Sequence, residues 1–189
     1  MSNLSVSQNF LVDKSFVNSL IDKTTISDQD LVLEIGAGRG IITEELSKRS
    51  KEVIAIELDY ILSQTLRSKF KDYQNIKVVN EDFLKYNLPK SPYKVFSNPP
   101  FNLSADILNK ILKLPNQMIE AYLILQDKTV ERFSGGGTQI STLWRPFYEI
   151  SIIKKIDRKE FKPVPDVDIV LAFFKKIEVP LIETVHYQQ

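Results

Sequence analysis

Short apolar runs alternate with polar segments of helical periodicity along this chain. The runs Leu31–Ile35, Val53–Glu57, Ile76–Val79, Tyr93–Ser97, Ala121–Leu125, Ile150–Ile156 and Val167–Lys175 predict seven strands. The first five are short and nearly continuous in apolar character, which suits a parallel sheet buried on both faces. Between them, Ile41–Arg49, Ile61–Phe70 and Ala105–Lys113 carry apolar residues at helical spacing. Ser104 is placed to cap the last of these, its hydroxyl satisfying a free first-turn amide. Ahead of the first strand, Asp13 is expected to cap a helix Lys14–Asp22 whose buried stripe is Phe16, Val17, Leu20 and Ile21. Strand-helix alternation predicts an α/β, doubly wound, Rossmann-like sheet with right-handed crossovers. Asp157–Asp166 is too short for an ordinary crossover helix, so the last two strands are expected as an antiparallel pair at one edge.

Composition narrows the function classes. At 189 residues and 43% hydrophobic content the chain fits one domain with a full core. No apolar stretch approaches membrane-spanning length, and Met1–Gln8 is polar without a signal core. A cytoplasmic protein with no membrane partner is the expectation. There is no cysteine and only one histidine, His186, so disulfides, thiolate chemistry, a His-dependent triad and a multi-His metal site are not expected. A net charge of +1 is not the signature of bulk electrostatic nucleic-acid binding. Basic residues cluster at Lys48–Lys51, Arg67–Lys71, Lys154–Lys155 and Lys175–Lys176; each alone reads as a solvated element end, and together they form a basic face only if the fold gathers them. Ser134–Gly137 reads either as a loop near the active face or as a plain surface linker.

The chemistry gathers at strand ends. The first strand runs into Glu34-Ile35-Gly36-Ala37-Gly38-Arg39-Gly40, a glycine loop that lets a ligand approach the backbone closely. Glu57, nineteen positions past Gly38 at the end of the second strand, can bond both hydroxyls of a ribose. Nicotinamide cofactors and S-adenosyl-L-methionine both satisfy this much. Two features favour the second. The third glycine comes one residue early for a pyrophosphate-binding loop. Asp82 follows the third strand, where a carboxylate can accept from an adenine amino group while Phe83 packs on the ring. The plain alternative makes Asp82 a cap and Phe83 core. After the fourth strand come Asn98-Pro99-Pro100-Phe101. An amide oxygen, a backbone carbonyl and an aromatic face suit a planar amino group, whose delocalised lone pair must be drawn out of plane before it can attack a methyl donor. A proline-rich turn is the plain alternative.

With Ser7-Gln8-Asn9-Phe10-Leu11, Glu34–Gly40, Ile56-Glu57-Leu58-Asp59, Glu81-Asp82-Phe83 and Asn98–Phe101 in order, the chain resembles the ribosomal RNA adenine N6-methyltransferases, which include the Erm enzymes and the small-subunit dimethyltransferases. Phe161-Lys162-Pro163-Val164-Pro165-Asp166-Val167-Asp168 is similar to the family's F-x-P-x-P-x-V-[DN] segment. The resemblance implies a class I, S-adenosyl-L-methionine-dependent methyltransferase with a seven-stranded, mostly parallel sheet. It implies that Asn9 and Leu11 touch the cofactor, with Gly36 at its amino-acid end, Gly38 in the loop, Glu57 on the ribose and Asp82 with Phe83 on the adenine. Asn98 would bridge cofactor and target base, the Pro99 carbonyl would accept from the amino group, and Phe101 would stack on the extruded adenine. The implied substrate is ribosomal RNA, 23S in the manner of macrolide-resistance enzymes, naked or in a pre-ribosomal particle, and the implied state a monomer. The alternatives are a 16S dimethyltransferase, a DNA or glutamine-amide methyltransferase, and a non-catalytic RNA-binding assembly factor. Two departures stand out. The family's usual tetrapeptide is Asn-[Ile/Leu]-Pro-[Tyr/Phe], where this chain has Pro99. A methyltransferase domain is expected over 1–178 and a tail over 179–189, without the family's usual C-terminal helical domain.

Overall fold

The computed structural model describes residues 9–135 and 137–178. The expectations for Ser7 and Gln8, Gly136, His186 and the tail 179–189 lie outside the described residues. In chain order the elements are β1 (Phe10–Leu11), α1 (Lys14–Ile21), β2 (Leu31–Ile35), α2 (Ile41–Ser47), β3 (Glu52–Glu57), α3 (Tyr60–Lys69), β4 (Ile76–Asn80), β5 (Tyr93–Ser97), α4 (Ser104–Leu112), β6 (Met118–Gln126), α5 (Asp127–Ser134), α6 (Gln139–Trp144), β7 (Tyr148–Ile156), β8 (Phe161–Lys162) and β9 (Ile169–Lys176).

Seven strands form one sheet in the order β4-β3-β2-β5-β6-β9-β7. β2 to β6 are mutually parallel, and β9 runs antiparallel between β6 and β7. The expected α/β sheet with an antiparallel edge pair is thus present, with the last strand on the inside of the pair. Strand residues alternate between two cores. Val32, Val53, Phe96, Tyr122 and Leu171 pack beneath α1 and α2, whereas Leu33, Ile54, Val95, Leu123 and Val170 pack beneath α4, α5 and α6. Burial on both faces explains why these strands read as continuous apolar runs.

Local chemistry sets the helix starts. Asp13 caps α1 by accepting from the Ser15 amide at 2.8 Å, and Val17, Leu20 and Ile21 are buried, with Phe16 partly so. Ser104 does not cap α4. It is the first helical residue, and its hydroxyl points back to the Pro100 carbonyl at 3.4 Å. Pro100 also accepts the Leu103 amide at 3.0 Å, so a 3-10 turn at Phe101–Leu103 starts the helix instead. Two helices, α5 and α6, lie where none was predicted, and Gly135 ends the first of them.

A second, two-strand sheet was also not predicted. β1 pairs with β8 antiparallel, Phe10 opposite Lys162 and Leu11 opposite Phe161. Two of the segments that carry the family resemblance, Ser7–Leu11 through its Phe10 and Leu11 and Phe161–Asp168 through its Phe161 and Lys162, are therefore spatial neighbours, although about 150 residues separate them.

At the amino-terminal ends of the parallel strands, opposite their carboxyl ends, lies a largely buried charge cluster. Lys94 Nζ donates to the Thr25 carbonyl (2.7 Å) and hydroxyl (2.8 Å) and to Asp30 Oδ2 (3.1 Å), with Glu120 Oε2 at 3.6 Å. Its side chain is 11% exposed. Removing one partner from such a group leaves uncompensated charge in a poorly hydrated place. Lys94→Ala is expected to lower unfolding free energy by about 3–5 kcal/mol, measured by urea denaturation. A loss below about 1 kcal/mol would show the cluster to be solvent-screened.

Candidate active site

The sheet reverses its winding between β2 and β5. β2 pairs with β3 along all of Leu31–Ile35, but with β5 only through Val32 and Leu33. Above that point the strands part, and the Ser97 hydroxyl donates to the Ile35 carbonyl at 2.5 Å in place of a ladder bond. A crevice at the carboxyl ends of strands is where this architecture binds ligands. Here it is a cavity of about 210 Å³.

All ten predicted site residues line that cavity: Asn9, Leu11, Gly36, Gly38, Glu57, Asp82, Phe83, Asn98, Pro99 and Phe101. Sequence reading missed Phe10, Leu58, Leu103 and Ile107, which also line it. Leu58 carried a signal, being an apolar residue beside the acidic strand end, and it is 45% exposed.

The glycine loop forms the floor. Gly36 (φ 72°) and Gly38 (φ 56°) both adopt the left-handed region, and a Cβ on Gly38 would stand 2.9 Å from the Phe10 ring. The third glycine, Gly40, serves packing, since a Cβ there would strike Leu66 at 2.6 Å. The Arg39 guanidinium lies over the Phe10 ring at 5.3 Å and ties β1 to the loop.

Each polar site residue is held by one set of bonds and presents another. Glu57 is buried, with Oε2 accepting from the Gly38 amide at 2.7 Å and Oε1 from the Asp59 amide at 2.9 Å. Each of its oxygens keeps a second lone pair. Asn80 Nδ2 fixes the strand end by donating to the Glu57 and Leu58 carbonyls. Asp82 Oδ1 accepts the Leu84 amide at 2.9 Å, so the capping alternative is correct as far as that oxygen goes. Phe83 is both core and cavity wall. Lys110 pins its loop, donating to the Phe83 and Tyr86 carbonyls at 2.6 Å each. Asn98 Nδ2 donates to the Asn9 carbonyl at 2.8 Å, while Asn98 Oδ1 is buried with no partner.

No residue of the basic clusters lines the cavity. Lys48 pairs with Glu45, Arg49 with Asp22, and Lys69 with Glu44 and the glycine-loop carbonyls. Lys154 lies over Phe16, and Lys176 donates to the Asn116 carbonyl.

An implied nucleoside cofactor can be tested against these residues. A floor of glycines in the left-handed region, a buried carboxylate with spare lone pairs at one strand end, a second carboxylate beside an aromatic ring, and an orphaned amide oxygen all fit S-adenosyl-L-methionine. The fold and this site define a Rossmann-like methyltransferase domain. The family model for ribosomal RNA adenine dimethylase matches residues 1–188. An rRNA adenine N-6-methyltransferase of Lysinibacillus sphaericus is 36% identical over 175 residues, covering 92% of this chain and 71% of that protein. Ribosomal RNA small subunit methyltransferase A of Fusobacterium nucleatum is 36% identical over 179 residues, covering 89% and 68%. The crystal structure of the 23S rRNA methyltransferase ErmE superposes with a TM-score of 0.85 at 30% identity, covering 93% of this chain and 72% of that one. The chain belongs to the ribosomal RNA adenine dimethylase family.

Glu34 adds a feature that the motif did not reveal. It is buried, it accepts from the Thr43 hydroxyl at 2.5 Å, and burial together with the Glu57 carboxylate pushes its pKa up to about 8. The folded chain then holds a proton that the unfolded chain releases near 4.5. That contribution to stability is complete below the unfolded value and is lost as pH rises through about 8. In Glu34→Gln, which keeps an acceptor for Thr43 but does not titrate, stability should gain on the wild type as pH rises across this window. Urea midpoints measured across the window test this, and parallel curves for the two proteins would refute it.

Proposed function

We propose that this chain transfers a methyl group from S-adenosyl-L-methionine to the N6 amino group of an adenosine in ribosomal RNA, with 23S RNA as the target. The observation that carries this reading is Asn98, a residue of the strand-end cavity wall whose Oδ1 is a buried acceptor without a partner. Such an atom costs stability unless a ligand donor meets it.

S-adenosyl-L-methionine, when bound, supplies an electrophilic sulfonium methyl. Glu57 would hold its ribose, and Asp82 with Phe83 its adenine. Leu11, Gly36 and Gly38 would enclose the remainder. The target adenosine leaves its stack to enter the site, as base-modifying chemistry requires. Phe101 stacks on its ring. Asn98 Oδ1 and the Pro99 carbonyl accept the two amino hydrogens, which draws the nitrogen lone pair out of the ring plane. Catalysis is then positioning and electrostatic shaping. No strong base is required, because the methylated nitrogen is cationic and readily gives up its proton. The chain would act as a cytoplasmic monomer on naked or pre-ribosomal RNA, and methylation of 23S RNA would protect against macrolides. The Fusobacterium nucleatum relative favours a second reading, with 16S RNA as substrate.

Radiolabelled methyl transfer to 23S RNA, 16S RNA, DNA and a glutamine-bearing peptide, with reverse-transcription mapping of the product, separates these readings. Asn98→Ala and Phe101→Ala are each expected to lower transfer to 23S RNA by about 100-fold or more, with folding retained. Full methylation by either variant would defeat the clamp. Labelling of 16S RNA alone would move the target. Cofactor binding without transfer to any RNA would make the chain a non-catalytic factor.

A further inference from the structure

The Asn98 amide has two ends with opposite surroundings. Nδ2 donates to the Asn9 carbonyl at 2.8 Å, while Oδ1 is buried and unpartnered. A carbonyl can face only a donor, so this contact permits one orientation of the amide. The Asn9 carbonyl is itself held in place. Asn9 Nδ2 donates to the Pro163 carbonyl at 2.7 Å. Phe10 and Leu11 pair with Lys162 and Phe161, and the Val12 amide reaches the Glu160 carbonyl at 3.3 Å.

We propose that Asn9 is a positioning residue for Asn98: anchored on the Pro163 carbonyl, its own carbonyl turns the Asn98 amide so that the oxygen, not the nitrogen, faces the reacting amino group. This rests on the methyl-transfer function proposed above and deepens it. The role differs from the cofactor contact that the family resemblance implies for Asn9. It also explains why position 98 takes an amide. An ionised carboxylate offers more acceptor sites, but one of its oxygens would meet the Asn9 carbonyl, acceptor against acceptor. Only a protonated carboxyl reproduces the amide, with O–H donating to Asn9 and C=O facing the cavity.

The Asn98→Asp variant turns this into a pH profile. Charged groups facing the same cavity are Glu34 from β2, Arg39 from the glycine loop, Glu57 and Asp59 at the end of β3, and Glu81 and Asp82 after β4. They are common to wild type and variant, so the ratio of the two rates isolates position 98. Single-turnover transfer to RNA is measured at saturating cofactor. The ratio for Asn98→Asp is expected to rise about tenfold between about pH 8.5 and about pH 6, while that for Asn98→Ala stays flat. Asn9→Ala is expected to slow transfer about tenfold, with calorimetric cofactor affinity held within about threefold and the urea midpoint retained. A flat Asn98→Asp ratio overturns the proposal. So does an Asn9→Ala variant that loses cofactor affinity but transfers at the wild-type rate, since Asn9 would then serve the cofactor. If the wild type methylates no RNA, the proposed function fails instead. Hydrogen exchange of the Asn98 side-chain amide then still tests the hold: protection should be present in wild type and lost in Asn9→Ala, and its absence in wild type overturns the proposal.

Discussion

The reversal of the sheet between β2 and β5 is the constraint on which the site depends. Parallel strands fed by right-handed crossovers must send their helices to opposite faces once the order reverses. Here α1 and α2 cover one face while α4, α5 and α6 cover the other. The two central strands have no shared helix to close over their carboxyl ends, and their ladder stops after Leu33 and Val95. Glu34, Glu57, Asp82 and Asn98 each stand at or just past the end of a strand. One topological fact thus brings residues spread over about a third of the chain to a single cavity.

What makes the cavity a site is the way backbone groups hold its side chains. The Gly38 and Asp59 amides orient the Glu57 carboxylate, the Leu84 amide orients Asp82, and the Asn9 carbonyl orients Asn98. Main-chain groups fixed by sheet and turn cannot rotate away, so the remaining lone pairs are aimed before a ligand arrives. Such preorganisation lowers the cost of ordering the site on binding. Capping and an open acceptor are therefore compatible at Asp82: Oδ1 caps, and Oδ2 takes no part in the cap.

The legible part of the fold was the part encoded locally. Apolar runs bounded by polar segments marked the seven main strands, and strand ends in this architecture are where the chemistry must lie, so eight of the ten candidate residues converge; Asn9 and Leu11 were implied by the family resemblance alone. Features that depend on distant partners were not legible. β1 and β8 are two residues long and carry no periodicity of their own; each exists only because the other is beside it. Lys94 interrupts an apolar strand, and its partners Asp30 and Glu120 lie 64 and 26 positions away in the sequence. α5 is mostly polar, with Val130 and Phe133 as its buried residues, too few to stand out against Lys128, Glu131 and Arg132. The proton on Glu34 depends on burial, which spacing alone does not reveal.

Pro99 can be understood in the same terms. A proline restricts the residue before it to extended backbone and fixes its own φ. In the family's usual Asn-[Ile/Leu]-Pro-[Tyr/Phe] that restriction falls on the second residue. In this chain Pro99 places it on Asn98, and Pro100 then places it on Pro99. Pro100 is held at φ −55° and ψ 126°, and its Cδ stands 3.4 Å from where a Cβ on Gly36 would lie. The backbone of Asn98 is thus restricted from its carboxyl side by Pro99 while its side chain is held by the Asn9 carbonyl. A stiffer turn removes conformations from the free protein that the bound state would otherwise have to exclude. The departure from the family pattern acts on the same residue as the β1–β8 contact, and in the same direction: both narrow the ways in which Oδ1 can point.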